Sequence, residues 1–424
     1  MHLQQAVFVV LAIGTSLVCD ALGSISYTRS VRFDWGHTKV RGVNIGGWLI
    51  VEPFITPGIF DKHSTAEHYV VDEWTLCEQL GKQDCYNVLK AHWDSFVSIN
   101  DFRKIASAGF NVVRIPVGYW SYLDLGAPYT AGAAPYVDKA VEWARETGLK
   151  VIIDLHGAPG SQNGFDHSGQ QLATPGWGKG ETVNQTYQVL QILEDKYAKR
   201  EMQSVVIGIQ ILNEPFLNKL NTTLLKSFYA TSYTQLRQTS DTPLLIHDGF
   251  RPPTWLNNFL TKPSDHSFSV IVDHHEYQIF DPSLVALSPA AHLQQICTSA
   301  PVYSRSSDKW TIVGEWSGAM TDCAKYVNGF MAGNRYEGSW EGSWRVGSCA
   351  GLSGEVGGWS EEWKDDVRRY VEGQMDAFER GTDGWIFWNF KTEGSAGEWD
   401  LFQLLNEGVF PQPLDDRKFE RVCG

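Results

Sequence analysis

Long apolar runs are scarce in this 424-residue chain, and none approaches the roughly 20 apolar positions of a membrane-spanning helix. Basic charge is also short. Lys and Arg number 35 against 49 Asp and Glu, so the formal net charge is -14. That balance excludes the basic surface that nucleic acid or an anionic membrane requires. The C-terminus is polar and carries no lipid-anchor signal. The histidines lack the short helical spacing of a zinc enzyme, so no metal and no cofactor are expected. No long linker divides the chain, which points to a single domain after an N-terminal leader.

What is present is an ordinary globular composition with many aromatics. Hydrophobic residues make up 43% and charged residues 20%. There are 17 Trp, which serve a core but also make platforms for sugar rings, whose C–H faces stack on indole. The N-terminus reads as a secretory signal, residues 1–23, with an apolar core Ala6–Ile13 and a small-residue cleavage region at Ala21–Gly23. The remaining 24–424 would be the mature domain, secreted to the extracellular space or cell wall. Cys19 leaves with the signal, so seven cysteines become six, an even number suited to disulfides in an exported chain. Cys77 and Cys85 are close enough for a local loop; Cys297, Cys323, Cys349 and Cys423 remain for two longer links whose pairing spacing does not fix. Asn184-Gln-Thr and Asn221-Thr-Thr have the form of glycosylation acceptors.

Short β-branched runs alternate with longer amphipathic stretches. Strands are expected at Val40–Ile45, Val112–Val117, Val151–Leu155, Val205–Leu212, Leu244–His247, Ser269–Asp273, Thr311–Gly314 and Trp385–Asn389. Helices are expected at Asp101–Ala108, Tyr136–Thr147, Thr182–Lys199, Thr223–Thr239 and Trp359–Arg380. Eight strand runs alternating with helical stretches predict an α/β fold, a (β/α)₈ TIM barrel with decorated βα loops. The Gly/Ser/Trp-rich segment Gly333–Gly358 contains Glu-Gly-Ser-Trp twice and reads as an excursion after strand seven, pinned by Cys323 and Cys349.

In such a barrel the C-terminal strand ends carry the chemistry. Here they hold Asn44 and, slightly beyond, Glu52; then Arg114, His156, Asn213 and Glu214, Asp248, His275 and Tyr277, Glu315, and Trp388. Glu214 follows an apolar run and precedes a strand-stopping proline; Glu315 ends another run. Two carboxyl groups facing each other across the mouth are what cleavage of a glycosidic bond needs: one protonates the leaving oxygen, the other attacks the anomeric carbon or activates water.

Seven segments, in order from about residue 30 to the C-terminus, resemble glycoside hydrolase family 5, and within it the fungal exo-β-1,3-glucanases: Arg41–Pro53, Gly109–Pro116, Asp154–Phe165, Asn213–Pro215, His275–Tyr277, Gly314–Trp316 and Trp385–Glu393. The resemblance implies Glu214 as acid/base and Glu315 as nucleophile, with retention of configuration. It implies that Arg114 holds the nucleophile ionised and Asn213 binds the sugar 2-hydroxyl. His156, His275 and Tyr277 would line the donor pocket, Glu52 would close its far end and Trp388 would floor it. Phe165 and Phe280 match a pair that clamps the acceptor sugar. The same resemblance implies disulfides Cys297–Cys423 and Cys323–Cys349, leaving Cys77–Cys85. Two departures stand out. The family's Phe-Asp-Asn-Ser-Gly reads Phe165-Asp-His-Ser-Gly169 here, placing His167 where an Asn contacts sugar. His-His-Tyr reads His275-Glu-Tyr277, adding Glu276.

The expected activity is release of glucose from the non-reducing ends of β-1,3-glucan by a monomer whose partner is a β-glucan polysaccharide or oligosaccharide, with possible transfer to an acceptor sugar. Glu214 is expected to have a raised pKa and Glu315 a lowered one, giving an acidic optimum. The rival readings are a β-1,6-glucanase or broad β-glucosidase on the same scaffold, and a non-catalytic glucan-binding wall protein.

Overall fold

Eight parallel strands close into one barrel, each hydrogen-bonded to the next in chain order and the last to the first. The computed structural model describes residues 33–261, 269–419 and 422–423; the expected signal segment lies outside the described residues. The strands are β1 (Val40–Asn44), β2 (Val112–Gly118), β3 (Lys150–Gly157), β4 (Val206–Gln210), β5 (Leu244–His247), β6 (Val270–His275), β7 (Trp310–Glu315) and β8 (Gly384–Phe387). The helices are α1 (Pro57–His63), α2 (Glu73–Phe96), α3 (Ile99–Ser107), α4 (Ala134–Thr147), α5 (Thr182–Tyr197), α6 (Thr222–Thr239), α7 (Pro282–Val285), α8 (Pro289–Arg305), α9 (Glu361–Gly381) and α10 (Leu401–Asn406). Between β5 and β6 the described residues hold only a 3₁₀ turn, Pro253–Leu256.

The alternation of strand side chains sorts the barrel interior into layers. Val40, Val112, Ile152, Ile207, Leu245, Ile271, Ile312 and Ile386 form the lowest one, against Trp35. The next inward positions are polar and fully buried: Arg114, Asp154, Gln210 and Asp273. Gly314 lies in that layer because a Cβ there would run into the Asp273 carboxylate. The outward faces of the strands pack against the helices in a separate, larger core. So the barrel is solid below and polar above, which places every reactive group at one end.

Strands β4 and β8 are displaced from expectation. β4 stops at Gln210 and not Leu212, because the chain must turn to present Glu214; β8 runs Gly384–Phe387 and not Trp385–Asn389. Three disulfides join Cys77–Cys85, Cys297–Cys423 and Cys323–Cys349.

Candidate active site at the C-terminal mouth of the barrel

Glu214 leaves β4 in a left-handed backbone conformation, φ 44°, which non-glycine residues seldom adopt. The neighbouring chain holds it there. Asn213 N–H donates to Leu155 O (3.0 Å), and Gln162 Nε2 donates to Asn213 O (2.8 Å). Glu315 is the last residue of β7. The imidazole of His275 stands between the two: its Nδ1 is 2.6 Å from Glu214 Oε1 and 3.4 Å from Glu315 Oε2. Laid end to end, those two distances put Glu214 Oε1 and Glu315 Oε2 no more than 6.0 Å apart. Retaining glycosidases hold their carboxyl groups at about 5–5.5 Å, whereas inverting ones need about 6.5–9.5 Å to admit a water. Two carboxylate oxygens this close can both reach one glycosidic bond.

Each carboxylate has distinct partners. Arg114 Nη1 donates to Glu315 Oε1 (2.8 Å) and Tyr277 Oη donates to Oε2 (3.0 Å). Arg114 is itself fully buried, and its remaining donors reach Gln210 Oε1, Asn44 Oδ1, Asn213 Oδ1 and Asp154 Oδ2, all within 3.0 Å. A buried guanidinium held by four hydrogen bonds and an ion pair to Asp154 keeps its planar fork in one place. Glu214 instead meets two imidazoles, His275 Nδ1 on Oε1 and His167 Nε2 on Oε2 at 3.1 Å.

This arrangement corrects the expectation of a raised Glu214 pKa in the free protein. Burial by itself raises it, but hydrogen bonds and charge from His167 and His275 outweigh burial and hold the carboxylate well below its ordinary value. Burial opposes charge on His275 as well, yet Glu315, Asp273 and Glu214 drive it well above the usual histidine range. His167 behaves likewise, rising to about 9 against burial through Glu214, Glu52 and Asp166. The proton thus rests on the imidazole side of each pair. His156 is the reverse case: burial, helped by His167, keeps it well below its ordinary value and so neutral. Its Nδ1 sits 2.7 Å from Asp154 Oδ2, and burial lifts Asp154 to about 7.

A cavity of about 550 Å³ opens over these groups. Of the expected residues, Glu52, His156, Phe165, Glu214, His275, Tyr277, Phe280, Glu315 and Trp388 all line it. Arg114 and Asn213 are not among its lining residues; Arg114 bonds the lining Glu315 through Nη1 and Asn213 through Nη2. Trp388 lies parallel to His156, ring centroids 5.5 Å apart. Glu52 is buried, and burial raises its pKa well above the ordinary value; its Oε1 has no protein partner. Such an atom at a pocket wall is suited to a ligand hydroxyl. Glu276 turns away from the cavity: it bonds Tyr303 Oη and faces His274 Nε2 at 3.5 Å.

Sequence reasoning missed several cavity walls. Phe216 and Phe250 extend the aromatic rim from Phe165, with centroids 5.4 and 6.0 Å apart in turn. Arg335 and Trp340 reach the cavity from the Gly333–Gly358 excursion, the guanidinium 4.3 Å from the Trp340 ring centre. The repeated Glu-Gly-Ser-Trp was the available signal for Trp340. Phe216 directly follows Asn213-Glu-Pro215 and could have been found by proximity.

Among the described residues, Glu214, His247 and His275 bring three potential metal-ligand atoms within 4.8 Å. Gly249 N–H donates to His247 Nδ1 (2.9 Å), so the neutral ring carries its hydrogen on Nε2 and offers no free lone pair. The trio is better described as part of the acid–base cluster.

The model of the family described as Cellulase (glycosyl hydrolase family 5) matches residues 84–394. A "Glucan 1,3-beta-glucosidase" from Lachancea kluyveri is 45% identical over 407 residues, 92% of this chain and 91% of that protein. A "Probable glucan 1,3-beta-glucosidase A" from Aspergillus terreus is 42% identical over 427 residues, 100% of this chain and 99% of that protein. Among solved structures, a rutinosidase from Aspergillus niger superposes with a TM-score of 0.71 at 21% identity, covering 89% of this chain and 99% of that one. At that identity the likeness speaks for the fold alone.

Proposed function

The chain belongs to glycosyl hydrolase family 5, and from that premise we propose that it is a retaining exo-β-1,3-glucanase, releasing glucose from the non-reducing end of β-1,3-glucan. The observation that carries this reading is the pair Glu214 and Glu315, held by one imidazole at no more than 6.0 Å over a cavity. Glu315 attacks the anomeric carbon. Its attack is aimed by Arg114 on one oxygen and Tyr277 on the other. Glu214 delivers a proton, drawn from its imidazole partners, to the leaving oxygen, and the glycosyl ester on Glu315 is then hydrolysed by water, from which Glu214 takes a proton. Buried Glu52, with Oε1 unengaged, takes hydroxyls of the terminal sugar, and Trp388 stacks beneath its ring. On this reading Glu52 closes the far end, so that a chain end enters and a chain interior does not, which is the basis for exo attack.

Residues 24–424 form the catalytic domain behind a cleaved signal 1–23, and the protein works as a monomer outside the cell or in its wall. Three disulfides suit that compartment. Asn184 and Asn221 are exposed and would carry the glycans, Asn221 also capping α6 through Oδ1 to Leu224 N–H (3.0 Å). The function is tested by a product time course on linear β-1,3-glucan. Glucose alone from the earliest points is expected. Larger oligosaccharides first, or release only from β-1,6-glucan, would overturn the reading.

A further inference from the structure

His167 occupies the position where the resembling family usually carries Asn, and the exchange has a chemical consequence. An amide can only donate or accept a hydrogen bond; an imidazole can also hold a proton near neutral pH. The ring sits on the 3₁₀ turn Asp166–Ser168, which follows the long loop after β3. Its Nε2 is 3.1 Å from Glu214 Oε2. The other Glu214 oxygen is already taken by His275 Nδ1. His275, however, is shared: it also faces Glu315 Oε2 at 3.4 Å and Asp273 Oδ2 at 3.2 Å. The His167 Nδ1 is buried without a protein partner, so the ring's polar contact with protein is the 3.1 Å ion pair between Nε2 and Glu214 Oε2.

The ionisable groups facing His167 come from four places: Glu214 beyond β4, Glu52 beyond β1, Asp166 on its own turn, and His156 near the end of β3, whose ring centre is 5.2 Å away. Three are carboxyl groups, and the fourth is an imidazole that burial keeps neutral. The surroundings favour a cation on His167 more than on an isolated histidine.

Building on the reading of Glu214 as acid/base, we propose that His167 is a positioning residue that stores the catalytic proton, passing it to Glu214 for departure of the leaving group and receiving it back during hydrolysis. In the first step the one proton of the pair passes from Nε2 through the Glu214 carboxylate to the glycosidic oxygen, leaving the imidazole neutral. The C–O bond breaks with its electron pair on that oxygen, while a Glu315 oxygen bonds the anomeric carbon. In the second step water oxygen bonds that carbon, the ester electrons return to Glu315, and the released proton passes through Glu214 to Nε2. The pair must hold one proton for the first step. It loses that proton only above the ordinary histidine range, so activity persists to higher pH than a lone carboxylic acid allows.

The test compares the pH dependence of kcat/KM for wild type and His167→Asn, alongside histidine side-chain NMR of wild type and Glu214→Gln. The alkaline limb of His167→Asn should fall at least about one pH unit lower than that of wild type. The His167 ring should titrate well above the ordinary range in wild type and drop toward it in Glu214→Gln. An unchanged alkaline limb with only a raised KM would make His167 a sugar-binding residue and overturn the proposal, as would a His167 titration indifferent to Glu214→Gln. Glu214→Ala separates this from the parent reading. Wild-type turnover of β-glucan by that variant removes Glu214 as acid/base and the storage role with it; an inactive Glu214→Ala beside an unshifted His167→Asn profile removes the storage role alone.

Discussion

Glu315 and Glu214 are chemically identical side chains made different by what touches them. Glu315 accepts from a guanidinium and a phenol, and Glu214 from two imidazoles. The first set orients a nucleophile; the second can supply a proton. Removing the nucleophile should therefore leave a pocket that binds but does not turn over. Glu315→Ala is expected to lose at least about 10⁴-fold in kcat, and azide should then give a glucosyl azide of inverted configuration from an activated β-glucoside. Near-wild-type hydrolysis by that variant would contradict the assignment. Position in the chain was enough to single out both glutamates, since each ends or follows an apolar run. Their protonation was not legible. The low Glu214 pKa depends on His167 and His275, 47 and 61 positions away, meeting its two oxygens.

At the scale of elements, period-2 and period-3.6 patterns located all eight strands and five helices to within a few residues. Two of the missed helices, α2 and α8, lacked those signals. α2 is interrupted by Gly81, with φ 74°, and α8 carries Pro301 within its span, so neither reads as a regular amphipathic run. The excursion after β7 has no periodicity at all. Its order comes from the Cys323–Cys349 link and from Asp322, which accepts from the backbone N–H groups of Arg335 and Tyr336 and pairs with the Arg335 guanidinium. That is why Trp340 reaches the cavity. Trp340→Ala should raise KM for β-1,3-glucan oligosaccharides by roughly 3–10-fold, the worth of one aromatic stacking contact, and change KM for a small aryl β-glucoside much less. Equal effects on both substrates would place Trp340 outside the acceptor side.

For the whole molecule, buried ionisable groups set a common pH trend. Burial raises Asp72 to about 6 and Glu73, Glu194 and Glu398 to about 8. Between the unfolded value near 4 and those folded values, the native chain binds more protons than the unfolded one, so stability falls as pH rises. His167 and His274, raised to about 9 and about 10, add stability that is present below about 6.5 and lost as pH climbs through the folded values. His92, His247 and His292, lowered to about 4 mainly by burial, act in the opposite sense, but only below about 6.5. Melting temperature should therefore rise as pH is lowered from about 8.5 to 6.5, and Glu73→Gln should flatten the slope. A rising melting temperature toward alkaline pH would contradict the burial argument.

The most direct test of two carboxylates acting on one bond is the anomeric form of the first product, followed by NMR before mutarotation. Double displacement through Glu315 predicts that β-glucose appears first and α-glucose only later. Initial release of α-glucose would mean a single displacement by water and would contradict the account.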